Sequence, residues 1–290
     1  MKGKAHRTCD MRIEGHTNAL LERSGLYAKT LLTARDVKSF GKALLVKLED
    51  EVLVERLGWP RRIGARKRGV VNFDISFYCD NHSVSMYYEI FGVRAYSFFP
   101  QFDPRAGDIV VDLGANQGIF TCYAASRATD GWVYAVEPDT DNLAWLKAHL
   151  DLNHIPNATV IEKCIGDRTG RAYFKKGDCS GTGYVVDASE QGPDIVEVDQ
   201  ITLEDLMATH GLSRIDLLKI DVEGFEIRVL AGAADRLGAV RRIVLEYHSA
   251  MLAEQVSKLL REKGFRMQQD SSVARSHILY FENIALCEKV

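Results

Sequence analysis

The sequence predicts a doubly wound α/β fold over residues 108–290, on the basis of two observations. Short apolar runs of strand length recur along this part of the chain, and segments of helical length and spacing separate them. Runs of this kind are typical of strands that are buried on both faces of a sheet. We therefore expect a mostly parallel sheet with helices on both sides.

Strands and helices alternate from residue 108 to the end of the chain. Strands are predicted for "IVVDLG", "WVYAVEP", "ATVIEKCIG", "IDLLKID" and "RRIVLEYH", with two short closing strands near 265–269 and 277–283. Helices are predicted over 117–128, 139–152, 202–210, 224–236 and 251–263. Thr202 is a favourable first residue for the third helix. His149 and His154, near the end of the second helix, are expected at the surface.

A basic extension, residues 1–69, precedes this domain and has a mainly helical pattern over 17–58. Residues 1–72 contain 16 Lys and Arg against 8 Asp and Glu, a charge of +8, whereas the remainder contains 21 against 32, a charge of −11. A basic front suits a membrane surface, a nucleic acid or an anionic substrate, but a solvated helical face is the favoured explanation.

Residues 70–107 form an aromatic-rich segment, in which Asp80 and Asn81 are a predicted turn. Aromatic faces suit sugar rings and lipids, so this segment is a candidate element of an acceptor pocket, although core packing explains the same residues. The residues concerned are Phe73, Phe77, Tyr78, His82, Tyr87, Tyr88, Phe91 and Tyr96.

The composition, 46% hydrophobic and 27% charged over 290 residues, is that of an ordinary globular protein. The six cysteines are scattered, and Cys122 and Cys164 lie inside apolar patterns, which fits a reducing compartment. We see no signal peptide and no apolar run of about 18 residues. The expectation is a cytoplasmic protein without a transmembrane segment, and a homo-oligomer remains open.

The stretch "DLGANQG" combines a strand-end carboxylate with a glycine-containing turn. Asp112 ends the first strand, and Gly114 and Gly118 allow the backbone to approach a ligand where the next helix begins. The dinucleotide-binding pattern GxGxxG does not match, because Asn116 and Ile119 occupy two of its glycine positions.

Glu137 ends the second strand, 25 residues after Asp112. A carboxylate at this position can accept hydrogen bonds from a ribose diol and would repel a 2′-phosphate. Asp112 would favour an ammonium group and disfavour a phosphate. A ligand with a ribose diol, a cationic end and no phosphate is S-adenosylmethionine, which is the predicted cofactor.

Candidate catalytic residues lie at the ends of two later strands. Strand alternation places Lys219 and Asp221 on one face, and Glu246 and His248 on one face of the neighbouring strand. Glu223 stands where the next helix begins. Both pairs of side chains should open toward the crevice that contains Asp112 and Glu137.

Three interpretations of this cluster remain open. Asp221 or His248 acts as a general base. Alternatively, Asp221, Glu223 and Glu246 bind a divalent metal ion through oxygen ligands. In the third, Lys219 forms a salt bridge, Glu223 caps a helix and His248 is a hydrogen-bonded structural residue.

Several spaced motifs together resemble one known family. They are "DLGANQGIFT", "VYAVEPDTDNLAWL", "IGDRTG", "TLEDL", "IDLLKIDVEGFEIRVLAGA" and "RRIVLEYH". In this order they look like FkbM-type S-adenosylmethionine-dependent methyltransferases over about residues 108–248. The segment "FDISFYCDNHSVSMYYEIF" with Tyr96 is a fainter match, and residues 1–69 match nothing in the family.

The resemblance implies a class I methyltransferase fold, which is Rossmann-like. The sequence pattern adds an N-terminal helical extension before the methyltransferase domain at 108–290. The resemblance also implies a set of cofactor-binding residues: Asp112, Gly114, Asn116 and Gly118 in the loop, Glu137 at the ribose and Asp167 near the adenine amino group. The family usually methylates oxygen nucleophiles in natural products, glycans or glycolipids.

The leading hypothesis is an O-methyltransferase that acts on a hydroxyl of a small-molecule natural product or a glycan. An N-methyltransferase acting on an amine or peptide is the nearest alternative. A nucleic-acid-modifying enzyme that uses the basic N-terminal region is disfavoured, because no stacking platform or RNA-binding motif accompanies it. The missing GxGxxG disfavours an NAD-dependent oxidoreductase, and a module that binds cofactor without catalysis is a further reading.

Overall fold

The computed structural model describes residues 33–48, 70–177, 183–186, 190, 192–268 and 277–287. The predictions for residues 1–32 and 49–69, which make up most of the helical extension, lie outside these ranges. Within the predicted helical stretch 17–58, the structure has a helix at Val37–Leu48.

The secondary structure follows largely the predicted order. The strands are β1 (Val70–Asn72), β2 (Ser76–Tyr78), β3 (Ile109–Leu113), β4 (Trp132–Val136), β5 (Ala158–Ile161), β6 (Cys164–Ile165), β7 (Gly170–Lys175), β8 (Tyr184–Val186), β9 (Ile195–Ile201), β10 (Leu217–Ile220), β11 (Arg242–Glu246), β12 (Phe265–Gln268) and β13 (Ile278–Asn283). The helices are α1 (Val37–Leu48), α2 (Asn81–Tyr87), α3 (Ile119–Arg127), α4 (Thr140–Leu152), α5 (Leu203–Thr209), α6 (Glu226–Ala231), α7 (Ala250–Glu262) and α8 (Ile284–Cys287). A π-helical turn (Tyr88–Gly92) follows α2, and two 3-10 turns lie at Pro100–Phe102 and Ala234–Ala239.

A seven-stranded sheet in the order β12-β13-β11-β10-β3-β4-β5 forms the centre of the domain. Neighbouring strands are parallel, except that β13 runs antiparallel to β11 and β12. Successive residues of one strand point to opposite faces, so Leu217 and Leu218 belong to two different apolar clusters. The predicted doubly wound, mostly parallel sheet is confirmed.

Side chains cap the helices that position the site. The Asp139 carboxylate accepts from the backbone N–H of Asp141 at the start of α4, and Ser249 caps α7 through the N–H of Leu252. Thr202 accepts from the N–H of Asp205 and starts α5, as predicted. Each cap pairs a backbone donor that the first helical turn cannot satisfy itself.

A second, four-stranded sheet in the order β6-β9-β7-β8 was not predicted. The single strand expected for "ATVIEKCIG" was wrong, because β5 pairs in the central sheet and β6 pairs with β9 in the second one. Strands β7, β8 and β9 are partly exposed, and Arg171 on β7 bonds Glu197 and Asp199 on β9. Such strands lack the continuous apolar run on which the prediction depended.

The helix expected at 224–236 is also shorter than predicted. It covers Glu226–Ala231, and a 3-10 turn follows at Ala234–Ala239. Gly232 lies between them, and a side chain there would overlap the backbone carbonyl of Gly166. The close approach of two backbones therefore favours glycine at this point.

The segment 70–107 packs against the central sheet as an aromatic layer. The rings of Phe73 and Phe77 stack, Tyr87 contacts both, and Phe91 stacks on Tyr87. The turn predicted at Asp80 and Asn81 was wrong, since Asp80 caps helix α2 by accepting from the N–H of Ser83. Most of the aromatic run is therefore core.

The helices of the described ranges are short relative to a bilayer. Among them we find none that is both long enough and apolar enough to cross a membrane.

Candidate functional site

The loop between β3 and α3 has a backbone that favours glycine. Gly114, Asn116 and Gly118 have φ angles of 77°, 52° and 80°, in the left-handed region. A Cβ on Gly114 would overlap the backbone carbonyl oxygen of Asp221, and one on Gly118 would overlap Leu146. The loop is therefore in direct contact with the end of β10, where the catalytic candidates begin.

Glu137, at the end of β4, holds this loop. Its carboxylate accepts from the N–H of Asn116 at 2.8 Å and from the N–H of Asp139 at 2.9 Å. The side chain is buried, and burial raises the pKa of Glu137 to about 7, against the opposing effect of these backbone donors. The predicted ribose partner thus lies beside the glycine loop, and it also shapes the loop.

Residues of the aromatic segment and of α4 also form hydrogen bonds with this loop. His82 Nε2 lies 3.2 Å from the Asn116 side-chain oxygen, and Gln117 donates to the Asp80 carboxylate at 3.2 Å. His149 Nδ1 contacts the Gln117 carbonyl oxygen at 2.7 Å, and His149 is fully buried. The expected surface position of His149 was wrong, because its ring links the loop to the N–H of Tyr78. His154 is exposed, as predicted.

Asp112 and Lys219 form a buried ion pair beneath the loop. Lys219 Nζ lies 3.0 Å from Asp112 Oδ1 and donates to the Gly114 carbonyl oxygen at 3.0 Å. Thr121 donates to the other Asp112 oxygen at 2.7 Å. Burial acts to lower the pKa of Lys219, but Asp112 and Asp221 outweigh it and raise the pKa, so Lys219 stays a cation. In this structure the ammonium group that pairs with Asp112 is therefore that of Lys219.

Three carboxylates gather at the ends of β10 and β11 around one phenol. The Tyr96 hydroxyl lies 2.8 Å from Glu246 Oε2 and 3.1 Å from Asp221 Oδ2. Glu89, on the π-helical turn, completes the group. Burial, together with repulsion from Asp221, raises the pKa of Glu246 to about 8 and that of Glu89 to about 7. Lys219 lies 3.5 Å from Asp221.

His248, two residues after the end of β11, lies within a second set of carboxylates. Its Nδ1 is 2.7 Å from Glu226 Oε1, and its Nε2 is 3.4 Å from Glu223 and 3.9 Å from Asp221. Burial acts to lower the pKa of His248, but the hydrogen bond to Glu226 and the charges of Glu223 and Asp221 raise it to about 9. Glu223 has a φ angle of 50°, uncommon for a residue with a side chain.

Asp167, which the family resemblance predicts near the adenine amino group, lies two residues after β6. It forms a two-pronged ion pair with Arg228 of α6, with distances of 2.8 and 3.2 Å. The hydrogen bond to Arg228 lowers the pKa of the Asp167 carboxyl. Asp167 therefore stays ionised and oriented, with carboxylate lone pairs left to accept from a ligand.

The structure adds three residues to the predicted site: His82, Glu89 and Glu226. His82 was named only for its place in an aromatic run, and Glu89 carried no signal beyond lying in that run. Glu226 stands in "DVEGFE", three residues after Glu223, and this repeat of carboxylates was the available signal. The contacts that make these residues part of the site come from distant parts of the chain.

The raised pKa values predict how stability varies with pH. Glu89 and Glu137 have a pKa of about 7 in the folded chain, against an ordinary value of 4.5. Between these two pKa values the folded protein holds protons that the unfolded chain has lost. The cofactor-free protein should therefore lose stability as the pH rises from about 4.5 to about 7. Replacing Glu89 with Gln should reduce the difference in unfolding free energy between about pH 5 and about pH 8 by on the order of 2 kcal/mol.

Urea unfolding at the two pH values checks this expectation, with the exposed Glu162 as the matched position for a Glu162→Gln control. If Glu89→Gln and Glu162→Gln show the same dependence on pH as the unchanged protein, Glu89 is not held as a buried acid.

Known proteins resemble this chain in sequence. A family model described as the methyltransferase FkbM domain matches residues 112–267, which is 156 of 290 residues. The 31-O-demethyl-FK506 methyltransferase FkbM of Streptomyces tacrolimicus is 31% identical over 226 residues, covering 67% of this chain and 86% of that protein. Methyltransferase sdnD of Sordaria araneosa is 27% identical over 64% of this chain and 83% of its own.

A further relative and a solved structure complete the comparison. Hexuronic acid methyltransferase AglP of Haloferax volcanii is 26% identical, over 53% of this chain and 62% of its own length. Aeropyrum pernix fibrillarin, solved with natively bound S-adenosyl-L-methionine, is 13% identical, with a TM-score of 0.41 over 66% of this chain and 73% of that chain. This likeness concerns the fold alone. From the family match and the relative at 31% identity, the chain belongs to the FkbM methyltransferase family and is an S-adenosylmethionine-dependent methyltransferase.

Proposed function

We propose that this methyltransferase transfers the methyl group of S-adenosylmethionine to a hydroxyl of a small-molecule natural product or a glycan. The observation that carries the proposal is the contact between Gly114 and the backbone of Asp221. It brings the glycine loop against the end of β10, so a cofactor on the loop would lie beside Asp221, Glu246 and His248. A hydroxyl placed there meets both a methyl donor and groups that can take its proton.

The named relatives support an oxygen acceptor. One is a 31-O-demethyl-FK506 methyltransferase and another is a hexuronic acid methyltransferase, so their names describe a hydroxylated natural product and a sugar acid. We extend this acceptor class to the present chain. An amine or peptide acceptor remains the alternative, because an acidic crevice would also attract an ammonium group.

The chemistry requires alignment and the removal of one proton. The acceptor oxygen attacks the methyl carbon, the carbon–sulfur bond breaks, and its electron pair stays on sulfur as a neutral thioether. Alignment of the two reactants lowers the barrier by up to about 7–11 kcal/mol. The hydroxyl proton passes to a base, for which Asp221 and His248 are the candidates. Lys219 remains charged and offsets Asp112 and Asp221 electrostatically.

The cofactor part of the proposal is tested by titration calorimetry with S-adenosylmethionine. Glu137→Gln keeps the size of the side chain but loses one acceptor at the ribose and at the loop N–H of Asn116. Because hydrogen bonds to charged groups contribute about 1.5–3 kcal/mol, the Kd should rise about 10- to 100-fold.

Glu162→Gln is the matched control, since Glu162 follows the next strand and is exposed. Its Kd should equal that of the unchanged protein. Equal Kd values for Glu137→Gln and Glu162→Gln would show that Glu137 does not bind the ribose.

The acceptor part is tested with tritium-labelled S-adenosylmethionine and a panel of acceptors. The panel contains a hydroxylated macrolide, a hexuronic acid glycan, a polyamine, a peptide and an RNA. Label should appear on the macrolide or the glycan as an alkali-stable ether. Label confined to the polyamine or the peptide would establish the N-methyl alternative, and label on RNA would establish a nucleic-acid-modifying enzyme.

A further inference from the structure

We propose that Asp221, Glu223 and His248 bind a divalent cation, and that Glu226 holds His248 in the orientation of a ligand. The proposal rests on the methyltransferase function proposed above and gives the hydroxyl acceptor a means of activation. It replaces Glu246 of the predicted metal set with His248, because Asp221, Glu223 and His248 are the side chains whose ligand atoms converge.

The three side chains converge on one point. One potential ligand atom from each lies within 4.8 Å of the others. His248 Nε2 is 3.4 Å from Glu223 Oε2 and 3.9 Å from Asp221 Oδ1. Oxygen and nitrogen ligands about 2.0–2.2 Å from a common ion lie roughly 3–4 Å apart, so the cluster needs little adjustment. The side chains are 24%, 25% and 33% exposed for His248, Asp221 and Glu223, so an ion can enter from solvent.

The orientation of His248 is set from behind by a buried carboxylate. Glu226 is fully buried, and its Oε1 lies 2.7 Å from His248 Nδ1 and accepts from the N–H of Gly224 at 3.0 Å. With Nδ1 occupied by Glu226, Nε2 is left to face Asp221 and Glu223. A histidine that ligates a metal usually donates its other ring N–H to a carboxylate in this way.

A second observation concerns the other carboxylate oxygen of Glu226. This oxygen, Oε2, is buried and has no hydrogen-bond partner among the described residues. Buried carboxylates are stable when paired or when a metal ion is nearby. His248 pairs with Oε1 of Glu226, and Lys219 is bonded to Asp112 and the Gly114 carbonyl, so neither contact involves Oε2.

The surrounding charge favours a dication. Asp221, Glu223, Glu226 and Glu246 lie around His248 and Tyr96, while Lys219 is the lysine that reaches Asp221 within the described part of the chain. A divalent ion would offset the charge that these carboxyl groups carry when they are ionised in a partly buried crevice.

The ligand types indicate the class of ion. A site with two carboxylates and one imidazole suits manganese or zinc better than an all-oxygen site does. Three protein ligands also leave coordination positions open for other ligands. When bound, such an ion would lower the pKa of a coordinated hydroxyl. The cluster lies at the end of β10 beside Gly114, so an acceptor held there would face the cofactor loop.

The test is titration of the full chain with Mn²⁺, followed by the electron paramagnetic resonance signal of the free ion. We expect one Mn²⁺ to bind per chain and to be displaced by Zn²⁺. Glu223→Gln and His248→Ala should weaken binding at least about 100-fold, and Glu226→Gln about 10- to 100-fold, as expected for a residue that acts through the histidine. Glu197→Gln, in an exposed acidic pair on β9, is the control and should bind like the unchanged protein.

Two results would overturn the proposal: no binding by the unchanged protein at about millimolar Mn²⁺, or full binding by both Glu223→Gln and His248→Ala. Calorimetry with S-adenosylmethionine on the same samples separates this failure from failure of the proposed function. A protein that binds no Mn²⁺ but binds the cofactor and methylates a hydroxyl lacks the metal site but keeps the function. A protein that binds Mn²⁺ and methylates only amines keeps the site but lacks the proposed acceptor.

Discussion

Replacing Gly114 with alanine is expected to abolish cofactor binding and to lower the stability of the protein by about 2–5 kcal/mol. Two physical effects add. The φ angle of 77° costs a residue with a Cβ about 1–2 kcal/mol. The new methyl group would also overlap the carbonyl oxygen of Asp221, which is backbone at the end of a buried strand and cannot move aside cheaply.

Gly107 offers a matched control for this prediction. Its φ angle is 79°, yet no atom lies within 4 Å of where a Cβ would be. Gly107→Ala should therefore lose the conformational contribution alone and should bind S-adenosylmethionine normally. Chemical denaturation gives the stability of both variants and calorimetry gives their Kd. If Gly114→Ala were as stable as Gly107→Ala and bound the cofactor equally well, the loop would not be packed against Asp221.

Replacing Lys219 with methionine is expected to destabilise the protein by about 3–5 kcal/mol, because Asp112 would be left as a buried charge without its partner. Methionine fills similar volume, so the loss is electrostatic rather than a cavity. Lys219 is 4% exposed and Asp112 is fully buried, whereas Lys147 and Glu162 form an ion pair that is half exposed on both sides. Lys147→Met should cost no more than about 1 kcal/mol and is the matched control.

A second substitution separates charge from packing. If the unpaired carboxylate is the cause, Lys219→Met combined with Asp112→Asn should recover part of the lost stability, measured by urea unfolding in a double-mutant cycle. Equal stabilities for Lys219→Met with and without Asp112→Asn would contradict the buried pair as the source of the effect. Loss of cofactor binding should accompany Lys219→Met, since Lys219 also bonds the carbonyl of Gly114.

The sequence by itself determined the central sheet and the glycine loop at residues 114–118. Each of these has a local signal: a run of apolar residues for a buried strand, a capping residue such as Thr202, and glycines such as Gly114 where the backbone must be left-handed. Glu137 was also predictable, because the end of a parallel strand places a side chain at the ligand edge of the sheet. These signals depend on a few neighbouring residues and on rules that hold for any sheet of this class.

Only the tertiary structure decided which side chains meet. Tyr96 reaches Asp221 and Glu246 across separations of 125 and 150 residues. His149 is buried because the loop carbonyl of Gln117 lies against it, although its place near a helix end suggested the surface. The second sheet likewise depends on pairing of half-exposed strands such as β7 and β9. The partner of a polar side chain is set by packing between distant elements, and no periodicity in the sequence records that choice.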